Sequence, residues 1–152
     1  MDWDLVFAAT NAVALAGWVA LAVLPRREAV LGAVLWGGVG LLCAAYAAMF
    51  VGLTGGLVDP ARAGGGAAPP FQYSVDGLRA MFASRGAIVI GWTHFLAFDL
   101  FAGLWIARDA DRRGVRRVVQ LPFLFATIMA GPIGLLAWLG LRPRGPIPAV
   151  PG

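Results

Sequence analysis

Charged side chains are scarce in this sequence, and lysine is absent. Of the 152 residues, 13% are charged and 60% are apolar, whereas a soluble domain has about one quarter charged and about half apolar residues. This length allows one domain, residues 1–152, and no second one. The arginines lie at the ends of apolar runs rather than on one face of a soluble fold. The expected partners are therefore membrane lipids with anionic headgroups, and no nucleic acid is expected.

Residues that bind metals or act as nucleophiles are also few. Cys43 is the only cysteine and His94 the only histidine, so the chain can form no internal disulfide and offers a weak ligand set for a metal. The sequence contains no paired-cysteine metal site, no phosphate-binding glycine loop and no nucleophile elbow. No metal and no cofactor is therefore predicted.

Four apolar segments are long enough to cross the hydrocarbon core of a bilayer, which takes roughly 20 residues. They run from Trp3 to Leu24, from Ala29 to Leu53, from about Ala87 to Ile106, and from about Val118 to Leu141. The predicted fold class is therefore an all-α membrane protein. It has four transmembrane helices plus a short amphipathic helix before the third span.

The segments outside these spans are short or rich in glycine and proline. An external loop is predicted over residues 54–86, flexible as far as Gln72. Within it, Val75, Leu78, Met81 and Phe82 recur at helical spacing, which predicts a short amphipathic helix at the membrane surface or over the mouth of the bundle. The proline-rich tail, residues 142–152, is predicted to be disordered.

The arginines predict the orientation, because cytoplasmic turns carry an excess of positive charge. The turn after the first span carries Arg26 and Arg27, and the turn between the last two spans carries five more arginines. Asp109 and Asp111 lie among these five and are expected to form solvated pairs. Four spans place both turns in the cytoplasm and both termini outside it. The arginines of the tail oppose this orientation.

Ionisable side chains inside a spanning helix are costly and by default indicate function. The third span contains His94 and Asp99. The other spans contribute milder polar or irregular features, which are Asn11, Tyr46, Thr127 and Gly131-Pro132. At about 1.5 Å per residue, most of these groups lie roughly 10–13 Å below the outer end of their span, and Asp99 lies roughly 18 Å below it. Because these polar groups lie at similar depths, we predict that they share a cavity that opens towards the outer leaflet.

Rotation around the helix limits this prediction. At about 100° per residue, His94 and Asp99 are about 140° apart, so they cannot both point into one narrow crevice. Trp92 and Phe95 share the face of Asp99, and Phe98 shares the face of His94. The two faces either flank a helix that is buried on both sides, or only one of them belongs to the site.

Each polar feature also has a purely structural interpretation. Asn11 and Thr127 could form hydrogen bonds between helices. Tyr46 could belong to the aromatic belt at the membrane interface, and Pro132 could simply kink the fourth span. His94 could donate to a neighbouring carbonyl. Asp99 is the hardest to explain in this way, because a buried carboxylate must be neutral or paired.

Several stretches resemble one known family. The run from Gly91 to Ala110 in the third span, which reads GWTHFLAFDLFAGLWIARDA, resembles the abscisic-acid-deficient-four-like family of integral membrane proteins. Further matches are Asn11 and Trp18 before Pro25, SVDGLRAMF before the third span, Leu121-Pro122 and GPIGLL from Gly131. The family includes a plastid membrane protein required for neoxanthin synthesis. Composition rich in arginine, alanine and glycine is typical of a GC-rich bacterium, so a bacterial member in the inner membrane is expected.

The resemblance implies a hydrophobic isoprenoid or carotenoid as the ligand. Plant members are implicated in converting violaxanthin, an epoxide, into the allenic neoxanthin, which is a redox-neutral isomerisation. It needs an acid on the epoxide oxygen and a base for a carbon-bound proton. His94 and Asp99 are the predicted catalytic pair. The predicted substrate-binding residues are Asn11, Tyr46, Trp92, Phe95, Phe98, Thr127 and Pro132.

Two other classes of function remain open. One is a non-catalytic carotenoid- or lipid-binding protein, or an assembly factor for another enzyme. The other is a small proton-coupled transporter that works as a homo-oligomer. The absence of an inverted repeat in the sequence disfavours transport.

Overall fold

The structure is a computed structural model that describes residues 1–58 and 74–144. Within these residues the chain forms six helices and no strand. They are α1 (Trp3–Val23), α2 (Glu28–Thr54), α3 (Val75–Met81), α4 (Arg85–Arg112), α5 (Arg117–Met129) and α6 (Gly131–Leu141). The prediction of an all-α protein is confirmed.

Three of these helices, α1, α2 and α4, are long and apolar enough to cross a membrane. The prediction of a fourth continuous span from Val118 to Leu141 is wrong. The helix breaks at Ala130, whose φ is −158° and ψ 80°, because Pro132 has no N–H to donate to the preceding turn. The resulting arms, α5 and α6, have 13 and 11 residues. They are about 20 and 17 Å long at about 1.5 Å per residue, and each is too short to span about 30 Å of hydrocarbon.

The two arms fold back on each other as an antiparallel hairpin. Near the break, Gly134 lies so close to Thr127 that a Cβ atom on the glycine would overlap the backbone of Thr127. Further from the break, the rings of Phe123 and Trp138 are 5.3 Å apart between centroids. The hairpin therefore enters and leaves the bundle at the same end, and its tip lies at Ala130.

The end of the bundle where the hairpin starts and finishes is held together by an ionic network, and we refer to it as the arginine end. Asp109 of α4 is 3% exposed. Its Oδ2 accepts hydrogen bonds from Trp138 Nε1 at 3.0 Å, Arg113 Nε at 2.9 Å and Arg142 Nη1 at 3.2 Å. The expectation that Asp109 is a solvated pair is wrong, because α6 returns to α4 and covers the carboxylate.

A second part of the network joins α1 to the start of α5. Arg26 donates to Asp111 at 3.1 Å and to Gln120 at 2.7 Å, and Gln120 donates in turn to Asp111 at 2.8 Å. Arg117 donates to the carbonyls of Leu21, Val23 and Leu24. Because the last carbonyls of a helix have no partner inside it, the guanidinium of Arg117 caps α1.

Glycines allow α1, α2 and α4 to pack closely along their length. Gly17 of α1 and Gly38 of α2 both contact Leu100, and Gly103 of α4 lies against the ring of Trp18. α1 and α4 run parallel, since Asp4 pairs with Arg85 at their beginnings and Arg26 pairs with Asp111 at their ends. Small residues at helix contacts are typical of membrane bundles, where van der Waals packing drives helix association.

The predicted short helix before the third span is present as α3. It begins after Ser74, whose hydroxyl accepts a hydrogen bond from the N–H of Gly77 at 3.0 Å. Phe82, just after α3, packs against Gly91 of α4. Most of the predicted flexible segment, residues 59–73, and most of the predicted disordered tail, residues 145–152, lie outside the described residues.

We expect Asp109→Ala to lower the free energy of unfolding by about 3–5 kcal/mol, because it leaves the largely buried guanidinium of Arg113 and the buried indole N–H of Trp138 without this acceptor. Thermal unfolding of the full-length protein in detergent micelles measures this effect. The control is Asp4→Ala at the opposite end. There both side chains of the Asp4–Arg85 ion pair are exposed, so the pair contributes about 1 kcal/mol or less to the free energy of unfolding. Equal losses in the two variants would show that burial does not strengthen the Asp109 network.

Candidate functional site

Asp99 lies half-way along α4, at the tip of the α5–α6 hairpin. Its side chain contacts Gly131, where a Cβ atom would overlap the carboxyl group. The side chain is partly exposed. Among the described residues, no cation and no hydrogen-bond donor reaches the carboxyl group. An unpaired carboxyl group at this depth is the ionisable feature that most strongly indicates function.

The local sequence explains why the hairpin turns here. Ala130 is extended, and Pro132 occupies the first turn of α6, where its missing N–H costs nothing. The N–H groups of Ile133 and Gly134 both donate to the carbonyl of Ala130, at 2.9 and 3.1 Å. The N-terminus of α6, which carries the positive end of the helix dipole, thus lies beside Asp99.

Thr127 and Pro132, both predicted to bind substrate, belong to this hairpin. Thr127 is fully buried, and its hydroxyl donates to the carbonyl of Phe123 within α5 at 2.7 Å. Its hydroxyl is therefore used inside the hairpin, while the side chain packs against Gly134. Pro132 is exposed on the surface of α6 and shapes the tip by interrupting the helix.

His94 lies on a different side of α4, against α2. Its ring is 4.6 Å from that of Phe98 and 5.7 Å from that of Tyr46, measured between centroids. A cavity of about 260 Å³ lies between the two helices and is lined by Cys43, Tyr46, His94, Ala97 and Phe98. Phe95 meets the histidine ring edge-on at 6.0 Å. The structure therefore groups His94 with Tyr46 and Phe98, and not with Asp99.

Asn11 and Trp92 form a third group, between α1 and α4. The indole N–H of Trp92 donates to Asn11 Oδ1 at 3.2 Å, and the amide of Asn11 donates to the carbonyl of Phe7 at 2.7 Å. The ring of Phe7 lies 5.8 Å from that of Trp92. Both polar side chains are thus satisfied within the bundle, which agrees with the interpretation of Asn11 as a helix-to-helix hydrogen bond.

The predicted site residues thus form three groups around α4, and of these residues Tyr46, His94 and Phe98 line the cavity between α2 and α4. The rotation of about 140° between His94 and Asp99 accounts for the main division. The sequence analysis did not anticipate Gln120, which is fully buried in the ionic network. A polar residue just inside the start of an apolar segment, after Arg116 and Arg117, is the signal that could have indicated it.

The charge at the arginine end is balanced only in part by its carboxylates. Removal from water lowers the pKa of the Arg26 guanidinium from its ordinary value, and the neighbouring Asp111 carboxylate opposes that change. Arg142 also lies over the ring of Trp105, 5.8 Å from its centroid, a favourable geometry for a cation–π contact. The hydrogen bonds of Trp138 and Arg142 to Asp109 fix this end of the hairpin, and Gly131 at its tip lies against Asp99.

Comparison with known families places this geometry in context. The sequence model of the ABA DEFICIENT 4-like family matches residues 5–138. The chain belongs to this family. The match extends from α1 into α6, so both Asp99 and the hairpin tip lie within the part that the ABA DEFICIENT 4-like family shares. No curated protein and no solved structure matches the chain.

Proposed function

We propose that this protein binds a long isoprenoid or carotenoid beside the hairpin tip and isomerises it, with Asp99 acting as both acid and base. The observation that carries the proposal is the carboxyl group of Asp99. It is partly exposed half-way along α4, and it has no partner among the described residues. Membership of the ABA DEFICIENT 4-like family supports a link to carotenoid metabolism.

The surroundings of Asp99 suit a hydrophobic ligand that arrives from the bilayer. Phe95 lies one turn before Asp99 on α4 and is 60% exposed, and Met129 at the end of α5 is 65% exposed. Residues four apart on a helix are neighbours on its surface, so Phe95 provides apolar surface next to the carboxyl group. A polyene could approach sideways through the lipid and place its polar end group at Asp99.

A single carboxyl group can carry out the chemistry that the family implies. The acid form of Asp99 donates its proton to the epoxide oxygen, and the bond from that oxygen to the ring carbon bearing the polyene breaks. The carboxylate then removes the proton from the adjacent vinyl carbon, and the electron pair of that C–H bond forms the second double bond of the allene. The oxygen remains as a tertiary alcohol. Proton and electrons balance, and Asp99 returns to its starting state.

The position of His94 favours this one-group scheme over the predicted pair. The ring of His94 lies against Tyr46 and Phe98, on the side of α4 away from the hairpin. A second catalytic group is not required, because the proton taken up by the epoxide oxygen and the proton lost from carbon can pass through the same carboxyl group in turn.

The test is turnover by the purified full-length protein in liposomes that contain violaxanthin. We expect a product of unchanged mass with an allenic end group, detected by chromatography with absorbance and mass detection. Pigments extracted from the protein purified from its native membranes provide the second measurement. A carotenoid bound at about one per protein without conversion would favour a non-catalytic binder. Extracts that hold only phospholipid, together with no turnover, would contradict both functions.

A further inference from the structure

The cavity between α2 and α4, which we refer to as the α2–α4 cavity, contains polar groups that the proposed reaction does not use. Tyr46, His94 and Phe98 line it, together with Cys43 and Ala97. Its volume of about 260 Å³ is below the roughly 300–1,000 Å³ of sites for drug-sized ligands. The cavity is therefore large enough for a single ring, and not for an entire polyene.

The polar groups of this cavity lie at the same depth in the bundle. Tyr46 precedes the end of α2 at Thr54 by about 12 Å, and His94 follows the start of α4 at Arg85 by about 13 Å, at about 1.5 Å per residue. These two helix ends lie on the same side because α2 and α4 run antiparallel: Tyr46 contacts His94, whereas Gly38, earlier in α2, contacts Leu100, later in α4. At this depth the bilayer supplies hydrocarbon and no water.

Both polar side chains lack a hydrogen-bond partner in the part of the chain that the structure describes. The hydroxyl of Tyr46 and the imidazole of His94 have only ring contacts there. Leaving such groups unsatisfied in hydrocarbon is unfavourable. A ligand oxygen placed between them could accept a hydrogen bond from the hydroxyl of Tyr46 and another from the imidazole N–H of His94.

We propose that the α2–α4 cavity binds an oxygen-bearing six-membered ring on a lipid-soluble chain. Tyr46 and His94 hydrogen-bond to the carbonyl or hydroxyl oxygen of the ring, and Phe98 packs against it, as aromatic side chains do with ring systems. Two kinds of membrane molecule have this chemistry: the headgroup of an isoprenoid quinone and the hydroxylated end ring of a carotenoid. The site is independent of Asp99, which lies on the other side of α4.

Cys43 provides a direct probe of occupancy. It lines the cavity, is exposed, and is the only cysteine of the chain, so its alkylation by a membrane-permeant maleimide reports on this place alone. The experiment uses the full-length protein in lipid nanodiscs with decylubiquinone or zeaxanthin as the probe. Decylbenzene and β-carotene, which lack the oxygen, are the matched controls. We expect at least one oxygen-bearing probe to slow alkylation about tenfold.

Two conservative variants test the hydrogen bonds. Tyr46→Phe and His94→Phe should each raise the probe concentration needed for half-protection about tenfold, the effect of losing one hydrogen bond. Their alkylation rates without a probe should stay within about twofold of the unaltered protein, which checks that the cavity is intact. Asp99→Asn serves as the control at similar depth and should not change the protection.

The outcomes separate the two ligand sources and the two sites. Protection by decylubiquinone alone assigns the cavity to a quinone, and protection by zeaxanthin alone assigns it to a carotenoid ring. Equal protection by decylbenzene or β-carotene, or unchanged protection in both Tyr46→Phe and His94→Phe, would overturn the proposal. Loss of turnover in Asp99→Asn with protection at Cys43 intact would leave this proposal standing. Turnover that depends on Asp99, together with no protection of Cys43 by either oxygen-bearing probe, would overturn this proposal and leave the proposed function unaffected.

Discussion

Replacing Asp99 with asparagine is expected to reduce turnover at least about 100-fold, and up to about 10,000-fold, which is the range that acid–base catalysis contributes. The amide can neither give its proton to an epoxide oxygen nor take one from carbon. It has nearly the same shape as the carboxyl group, so the contact with Gly131 at the hairpin tip is kept. Folding should therefore be preserved, which thermal unfolding in detergent checks independently of activity.

The matched control for this variant is Asp76→Asn, the same chemical change at an exposed position of α3. It should retain the turnover of the unaltered protein in the same liposome assay. A stable Asp99→Asn protein with full turnover would exclude Asp99 as the acid and base. Carotenoid binding without dependence on Asp99 would then support the non-catalytic function.

His94→Gln tests whether one or two groups are required. If His94 were the second member of the predicted catalytic pair, the loss would be comparable to that in Asp99→Asn. In the structure the His94 ring packs with Tyr46 and Phe98, so a loss of less than about tenfold is expected for a residue outside the reacting groups. This comparison therefore decides between the predicted pair and the one-group scheme.

The three helices that are long and apolar enough to cross a membrane follow directly from the sequence. An unbroken run of about 20 apolar residues can satisfy its backbone in a bilayer only as a helix, and α1 ends within one residue of the predicted boundary. The fourth segment has the same composition, but hydropathy does not distinguish one long span from two half-length arms that bury the same side chains. Gly131-Pro132 and the arginines of the tail were both recognised in the sequence. The hairpin explains both features, because it turns at Gly131-Pro132 and returns the tail arginines to the end where the other arginines lie.

The candidate site could be predicted only in part, because it depends on which helices are neighbours. Rotation alone separates His94 from Asp99. The pairing of Asn11 with Trp92 and of Tyr46 with His94 depends on how α1 and α2 pack around α4, which glycine contacts such as Gly17 against Leu100 determine. Asp109 looks solvated among its arginine neighbours in the sequence. Its burial results from the return of Trp138 and Arg142 along α6.

The termini are expected to lie on opposite sides of the membrane. Three crossings by α1, α2 and α4, followed by a hairpin that returns to its starting end, place Arg142 beside Asp109 at the arginine end. The earlier prediction of two external termini depended on four crossings and does not follow from three. Apart from Arg79 and Arg85, the described arginines lie at the arginine end, so the positive-inside rule places that end in the cytoplasm. The arginines of the tail then agree with the others.

Cysteine labelling in intact cells measures this topology with an all-or-none outcome. In a Cys43→Ser background, Asp2→Cys should react with a membrane-impermeant maleimide added outside, and Arg144→Cys should react only after the cells are opened. The two positions are matched, since each is exposed and close to one end of the described chain. External labelling of both positions would mean that α5 and α6 cross the membrane as one span. Trp138 and Arg142 would then be unable to reach Asp109, and Gly131 would no longer be held against Asp99 by a hairpin anchored at the arginine end.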